Sequence, residues 1–598
     1  MKKRVADIVV DTLKENGIKD CFCVVGGGSM HLNNALVLSR DSLALTYCHH
    51  ESSCSMAAEG YARYSGQMAC VCVTSGPGGT NAINGVQGAW VDSVPMIVIS
   101  GHPRQATTVE ASGLKLRSRG VQENDIISMV KGITKYAVLV KDPLDIRREL
   151  QKAIDLAMSG RRGPSWVSIP LDVQGARIEE DELRAPEPLS SDTMPSEDSI
   201  REIVSVLKDS KRPCILTGSG IRTSDAESGY REFASHLRIP IVGGALQADI
   251  NYHGERYYYG NSGSIGPRCG NFMLQSADVI LVLGNSLSTT QTGFNQEAFA
   301  PDAKIIMVDV DSEELKKKEV HAAFPLCSDL NAFFKAWQAY GSDIDAPEDW
   351  ISHCDMLYKK LSRYELIDRH KDIDKKGKVP SAFFWYTLLN NAEEDAVIAL
   401  GNSTCITDVL RYGISRAGQR VLVNYKCGSM GHDLPNAIGA CIAAGKKPVY
   451  CVTGDGSVMM NLQELQTIAY NRLPVRLVVF NNNGYGAIRN TCSNFFEGTY
   501  TGCDESSGIS FPDFSLVAAC FGLPYRCCSD IASLESAVEW LKSAPGACLL
   551  EICECENEIR EPVIRSKMDE NGVFTTPALH DMWPYLDDAV VSECLMKD

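Results

Sequence analysis

The sequence predicts an α/β chain built from three doubly wound parallel-sheet domains. Three observations predict it. Short apolar, β-branched runs alternate with helical patterns over three long stretches. The runs end in turns rich in Gly, Asp and Asn, as at the ligand-binding carboxyl ends of open parallel sheets. A length of 598 residues accommodates three or four full-size cores.

The first domain is assigned to residues 1–180. Val71-Cys72-Val73-Thr74 and Met96-Ile97-Val98-Ile99 are strands, and Trp166-Val167-Ser168-Ile169-Pro170 closes the unit. Residues 181–198, acidic and rich in Pro and Ser, read as a linker. The central domain, 190–345, opens with Cys214-Ile215-Leu216-Thr217-Gly218-Ser219-Gly220. It continues through Val279 to Gly284 and Ile305 to Asp311. A charged stretch from Tyr364 to Lys378 reads as a second linker. The third domain is placed at 365–556. The tail, 557–598, holds Pro562, Gly572, Pro577 and Pro584 and reads as irregular.

Hydrophobic content of 44% and charged content of 22% are ordinary for a soluble globular chain. A net charge of −17 argues against a nucleic-acid partner, which needs clustered Lys and Arg. The start is basic, but Asp7, Asp11, Lys14 and Glu15 interrupt it in helical phase, so it does not read as a signal peptide. No run approaches the roughly 20 apolar residues of a membrane span. These features predict a cytoplasmic protein with no membrane partner. The 23 cysteines then read as reduced thiols. Cys21/Cys23, Cys70/Cys72 and Cys553/Cys555 alternate onto one sheet face each, and their spacing is too tight for a zinc site.

The most informative motif is Gly454-Asp455-Gly456-Ser457, followed one helix and one strand later by Asn481-Asn482-Asn483-Gly484. The lead-in Pro448 to Thr453 is an apolar strand. Met459, Leu462, Leu465, Ile468 and Ala469 follow at helical spacing, and Val475 to Phe480 is the next strand. Asp455 offers a hard carboxylate, Asn482 a neutral oxygen and Gly484 a backbone carbonyl. Sparse hard oxygens with phosphate completing the shell suit Mg²⁺. The glycines and the helix N-terminus favour phosphate approach.

On this motif the chain resembles the thiamine diphosphate (ThDP)-dependent decarboxylase and carboligase superfamily. The closer resemblance is to the acetolactate synthase catalytic subunit. Thr74-Ser75-Gly76-Pro77-Gly78-Gly79-Thr80-Asn81, Gly163-Pro164 and Met430-Gly431 extend it over nearly the whole chain. The resemblance implies pyrimidine-binding, central and diphosphate-binding domains in this order. It implies that Glu51, within Tyr47 to Arg63, holds a proton on the cofactor's aminopyrimidine from an apolar cleft and so promotes ylid formation. Met430 would support the bent cofactor, and the Gly428 carbonyl would accept from its amino group. Asn402 and Ser403 would meet the diphosphate. Thr74, Asn81, Gly454, Asp455, Gly456, Ser457, Asn482, Gly484, Tyr485, Gly486, Ala487 and Ile488 would complete the cofactor site, with Asp455, Asn482 and Gly484 as metal ligands. Gly27, His31 and Gln122 would stand near the reacting centre.

The family reaction decarboxylates pyruvate or a related 2-oxo acid and adds the two-carbon unit to a second carbonyl. The resemblance also implies a homodimer or homotetramer, with Glu51 of one chain facing Asp455 and Asn482 of another. Two departures bear on the acceptor. Leu171 stands where the family has a lysine, and Thr491 where it has a pocket tryptophan. They point toward a branch that adds the acetyl unit to nucleotide-linked ketosugars. A simple 2-oxo acid decarboxylase is the other alternative. FAD is left open and disfavoured, because Gly284-Asn285-Ser286-Leu287 replaces the family's Gly-Ala-Arg-Phe, with Arg268 nearby. An NAD(P) enzyme is disfavoured, since no Gly-x-Gly-x-x-Gly with a downstream acid follows a first strand.

Overall fold

The computed structural model describes residues 2–597 apart from 189–193, 246, 363–376, 557, 559–560 and 569–570. Most of the expected Tyr364–Lys378 linker therefore lies outside the described residues.

Three six-stranded parallel sheets carry the chain. The first runs in space as Ala44–Tyr47, Asp20–Cys23, Cys70–Val73, Met96–His102, Pro164–Pro170, Tyr136–Leu139. The third runs as Arg420–Leu422, Val397–Leu400, Val449–Gly454, Val475–Asn481, Cys548–Cys553, Tyr525–Cys528. In chain order, both read second, first, third, fourth, sixth, fifth. The central sheet reads third, second, first, fourth, fifth, sixth: Tyr258–Asn261, Ile241–Gly243, Pro213–Thr217, Val279–Leu283, Lys304–Asp309, Ala322–Cys327. Helices cover both faces, so strands such as Cys70–Val73 and Val279–Leu283 are buried at every residue.

The first and third domains share one core. Val71, Val98 and Trp166 belong to the same apolar cluster as Ala437, Ile438, Cys451 and Leu477. Helix Glu51–Ser65 lies directly on helix Asp433–Ala443. A Cβ on Gly439 would stand 1.8 Å from the Ala57 carbonyl oxygen, and one on Gly60 would stand 2.3 Å from that of Asn436. Only glycine permits that approach. The central domain has its own core around Phe233, Phe333, Trp337 and Trp350.

Three details differ from expectation. The central domain does not stop near 345, because helix Glu348–Leu361 seats Trp350, Leu357 and Leu361 in its core. The tail is not simply irregular. Leu579 and Cys594, the latter on helix Asp588–Cys594, join the central core, and fully buried Arg268 donates to the carbonyls of Met582 and Pro584. Finally, the helix after Asp455 breaks into Asp455–Val458 and Glu464–Asn471. Buried Asn461 sits in the break and donates to the Gly431 carbonyl at 2.7 Å, diverting the chain. Among the described residues no helix is long and apolar enough to cross a membrane.

Candidate functional site

The carboxyl end of the third sheet holds a closed, polar turn. Strand Val449–Gly454 delivers Asp455 onto the first turn of a short helix, where it is 2% exposed. Its Oδ2 accepts from the N–H groups of Gly484 (2.9 Å) and Asn482 (3.2 Å), and its Oδ1 accepts from that of Gly456 (2.7 Å). Burial, reinforced by the charge of Glu554, pushes the carboxyl up to about 7 against those three donors. Among the described residues no Lys or Arg pairs with Asp455. A buried carboxylate without a cation, beside an amide oxygen and a backbone carbonyl, is a hard-oxygen donor set that fits a divalent ion.

Asn482 directly follows the next strand, Val475–Asn481. Its Nδ2 donates to Glu554 Oε2 at 2.7 Å, and its Oδ1 accepts from Arg489 Nη2 at 3.0 Å. The same guanidinium nitrogen reaches the Asn482 and Glu556 carbonyls, at 2.7 and 3.1 Å. Arg489 thus staples the back of the turn. Gly484 has φ +155°, and its carbonyl accepts from Gly486 N–H at 3.1 Å, at the start of helix Gly486–Phe495. The Tyr485 ring lies over Gly456, where a Cβ would stand 2.1 Å from the ring. Ala487 and Ile488 open that helix, exposed, and Thr491 is exposed one turn on.

Ser457 ties this turn to the loop holding Met430. Its Oγ donates to Asp433 Oδ2 at 2.6 Å and accepts from Gly431 N–H at 2.9 Å. Asn402 Nδ2 donates to the Gly428 carbonyl at 3.2 Å, and exposed Ser403 follows at φ +58°. Met430 is half-buried in that loop. Around Gly454 and Gly428 the backbone is open, with nearest atoms at 4.0 and 3.6 Å from a would-be Cβ. That leaves room for a ligand to approach main chain.

The carboxyl end of the first sheet is more open. Glu51 begins helix Glu51–Ser65, and its Oε2 accepts from Asn81 Nδ2 at 3.0 Å. In the single chain it is partly exposed, not enclosed in the apolar cleft expected for it. Thr74 Oγ1 accepts from Gly28 N–H at 3.0 Å, and Gly27 beside it has no heavy atom within 4 Å of a would-be Cβ. Gln122 is exposed at φ +59°, its backbone pressed against Gly76. His31 is turned onto Gly175, on the short helix that Leu171 begins. Partial burial and the charges of Arg4 and Arg104 lower its pKa, favouring the neutral ring.

A seam joins the two sheets within the chain. Ser53 donates to Asn461 (3.1 Å), His49 N–H to Glu464 (3.0 Å) and Ser429 to Asn84 (2.6 Å). Fully buried Glu59 meets Arg63 at 2.6 Å and His432 at 3.0 Å. Burial opposes its charge, but His432 and Arg63 outweigh it and hold the carboxyl at about 2. Among the described residues no hydrogen bond or ion pair joins Glu51 to Asp455, Asn482 or Gly484. The candidate residues therefore form two groups, one on each sheet. Sequence reasoning missed Asp433, Asn461, Arg489 and Glu554. Only Glu554 carried a signal, as an acid closing an apolar strand.

Comparison with known families matches these same two sheet ends. Residues 3–129 match the N-terminal TPP binding domain of the thiamine pyrophosphate enzymes, 200–337 their central domain and 401–552 their C-terminal TPP binding domain. The chain is 30% identical over 588 residues to "Acetolactate synthase, chloroplastic" of Arabidopsis thaliana, covering 96% of this chain and 84% of that one. It is 30% identical over 582 residues to "Acetolactate synthase isozyme 2 large subunit" of Escherichia coli (strain K12), covering 94% and 97%. It is 29% identical over 576 residues to "Acetolactate synthase 2, chloroplastic" of Nicotiana tabacum, covering 94% and 84%. The chain belongs to the thiamine pyrophosphate enzyme family, as an enzyme of the acetolactate synthase large-subunit type.

Proposed function

We propose that the protein is a ThDP- and Mg²⁺-dependent carboligase that decarboxylates pyruvate, or a related 2-oxo acid, and transfers the two-carbon unit to a second carbonyl. The observation that carries this reading is the buried Asp455, clasped by the Gly456, Asn482 and Gly484 N–H groups with no Lys or Arg partner among the described residues. When bound, ThDP supplies the electron sink that accepts the electron pair as CO₂ leaves. Asp455, Asn482 and the Gly484 carbonyl would hold Mg²⁺ against the diphosphate, with Asn402 and Ser403 beside it. Sharing of Asn482 Oδ1 with Arg489 keeps that oxygen aimed. Glu51, oriented by Asn81, would hold a proton at the aminopyrimidine ring. Met430 would support the cofactor's bend, Thr74 would join the cofactor site, and Gly27, Gln122 and His31 would line the substrate approach.

The separation of Glu51 from the Asp455 group supports a site completed by a second copy, hence a homodimer or a tetramer of such dimers. All 23 cysteines are free thiols, which supports the cytoplasmic reading. FAD takes no part in the proposed chemistry. The central sheet's crevice, a cavity of about 220 Å³, is lined by Arg161, Arg222, Gly284 and Asp309. Two of its cations are already matched, Arg161 by Asp311 and Glu314, and Arg222 by Glu227 and Asp249, while Lys426 also lines it.

The small, exposed Thr491 favours a bulky acceptor such as a nucleotide-linked ketosugar over a second 2-oxo acid. Mass spectrometry of products from ¹³C-pyruvate, with a panel of 2-oxo acids and ketosugars, tests the proposal. Labelled acetolactate or a branched sugar supports it. Acetaldehyde alone would make the protein a simple decarboxylase.

A further inference from the structure

At the edge of the third sheet two thiols touch. Cys527 lies on strand Tyr525–Cys528, the outermost strand, and is exposed. Its Sγ is 3.5 Å from the Sγ of half-buried Cys553, which ends the neighbouring strand. The other strand thiols nearby are oriented differently. Cys528 is buried, and Cys555 is engaged with the Lys378 carbonyl at 3.3 Å. A disulfide needs the two sulfurs near 2.05 Å, so the pair must close by about 1.5 Å. An edge strand, hydrogen-bonded on one side only, can supply that movement.

The pair is wired to the polar turn. Glu551 accepts from Tyr525 OH at 2.5 Å and from Asn481 Nδ2 at 2.7 Å. Glu554, next to Cys553, accepts from Asn482 Nδ2 at 2.7 Å. Drawing Cys553 toward the edge therefore pulls on both asparagines.

We propose that Cys527 and Cys553 are a peroxide-responsive modification site whose disulfide loosens the Asn481–Asn482 turn. The link to cofactor binding rests on the function proposed above; the disulfide itself does not. The chemistry balances with hydrogen peroxide as oxidant. The Cys527 thiolate attacks one peroxide oxygen, an S–O bond forms, the O–O bond breaks and hydroxide leaves, protonated to water. The sulfur loses two electrons and becomes a sulfenic acid. Cys553, deprotonated to solvent, then attacks that sulfur. The S–S bond forms, the S–O bond breaks, and a second water departs. An external dithiol returns two electrons and two protons. Exposure makes Cys527 the first to react, since burial holds the Cys553 thiol up at about 12.

The test treats the full-length protein with hydrogen peroxide, blocks free thiols, digests it without reductant and maps linked peptides. The expected result is a Cys527–Cys553 linkage, reversed by dithiothreitol and absent in Cys527→Ser. In parallel, a titration of ThDP with Mg²⁺ should show affinity at least about fivefold weaker after oxidation in the native protein and unchanged in Cys527→Ser. The proposal is overturned if exposed Cys327 and Cys520 oxidise while Cys527 and Cys553 stay reduced, or if Cys553 links to Cys555 instead. It is equally overturned if the linkage forms and the turn does not respond, read as unchanged hydrogen exchange at the Asn482 and Gly484 amides. Failure of the reduced protein to bind ThDP would instead sink the proposed function and leave the exchange readout standing.

Discussion

The first and third domains have the same strand order yet prepare their carboxyl ends in opposite ways. The third domain's turn is locked: Asp455 carries three N–H donors, Asn482 sits between Glu554 and Arg489, and Ser457 is tied to Asp433. The first domain's end is open. Among the described residues Glu51 has one side-chain hydrogen-bond partner, Gln122 is exposed, and Gly27 faces free space. A phosphate–metal grip must be rigid before the ligand arrives, because its affinity depends on donors that need no reorganisation. On the proposed function, the proton-handling group and the substrate approach need access, which the open end leaves. The same topology thus serves two tasks by differing in how many hydrogen bonds each turn already holds.

Substitution of the two carboxylates separates these tasks. Glu51→Gln keeps the shape and removes the proton, so exchange of the cofactor's thiazolium hydrogen for deuterium should slow by about a thousandfold. Affinity for ThDP should stay within about threefold. Proton NMR follows the exchange, and a parallel collapse of affinity would erase the distinction between the two ends. Asp455→Asn does the reverse: cofactor binding with Mg²⁺ should weaken by about a hundredfold or more, read from tryptophan fluorescence. If affinity held, the locked turn would not be the grip.

The seam between the two domains predicts a pH signature. Glu59 has its carboxyl held at about 2 in the folded protein, below its ordinary 4.5. A depressed carboxyl contributes stability that is fully present above pH 4.5 and lost as pH falls toward 2. The contribution is about 3 kcal/mol. Urea unfolding should therefore show Glu59→Gln destabilised by roughly that amount at pH 7, with the gap closing as the pH approaches 2. A gap independent of pH would mean that the contacts with Arg63 and His432 do not set it. A smaller loss is expected for Gly439→Ala, whose Cβ would meet the Ala57 carbonyl at 1.8 Å. Prising the two helices apart should cost about 2 kcal/mol, visible as a lower melting temperature in calorimetry.

Much of this was legible before any coordinates. Central strands such as Cys70–Val73, Val279–Leu283 and Val397–Leu400 are unbroken apolar runs, and the proposed metal turn is a local pattern, because both ends of it lie between neighbouring strands of one sheet. What stayed hidden was non-local. Asp433 reaches Thr453 and Ser457 from a helix start twenty or more residues upstream. Arg489 reads as an ordinary helical cation until its guanidinium is seen threading the Asn482 turn. The boundary at 345 failed because helix Glu348–Leu361 belongs to the central core through Trp350, which no charge pattern reveals. The tail misled because its order comes from Arg268 and Asn271, some three hundred residues away in sequence.

The smallest effect tests the open end most directly. Gln122 is exposed, strained at φ +59° and packed against Gly76 through its backbone and Cβ. Among the described residues its amide makes no hydrogen bond, and Ala keeps the Cβ, so Gln122→Ala should leave the melting temperature unchanged. If the amide meets substrate, losing one hydrogen bond of about 1 kcal/mol should lower kcat/KM about fivefold. A change in KM alone would mean that the amide binds substrate and transition state equally; a change in kcat would place it at the reacting atoms. Gln122→Gly separates side chain from backbone, since it also relieves the positive φ. Matching kinetics for the two variants would assign the effect to the amide, whereas recovery in Gln122→Gly would assign it to the loop.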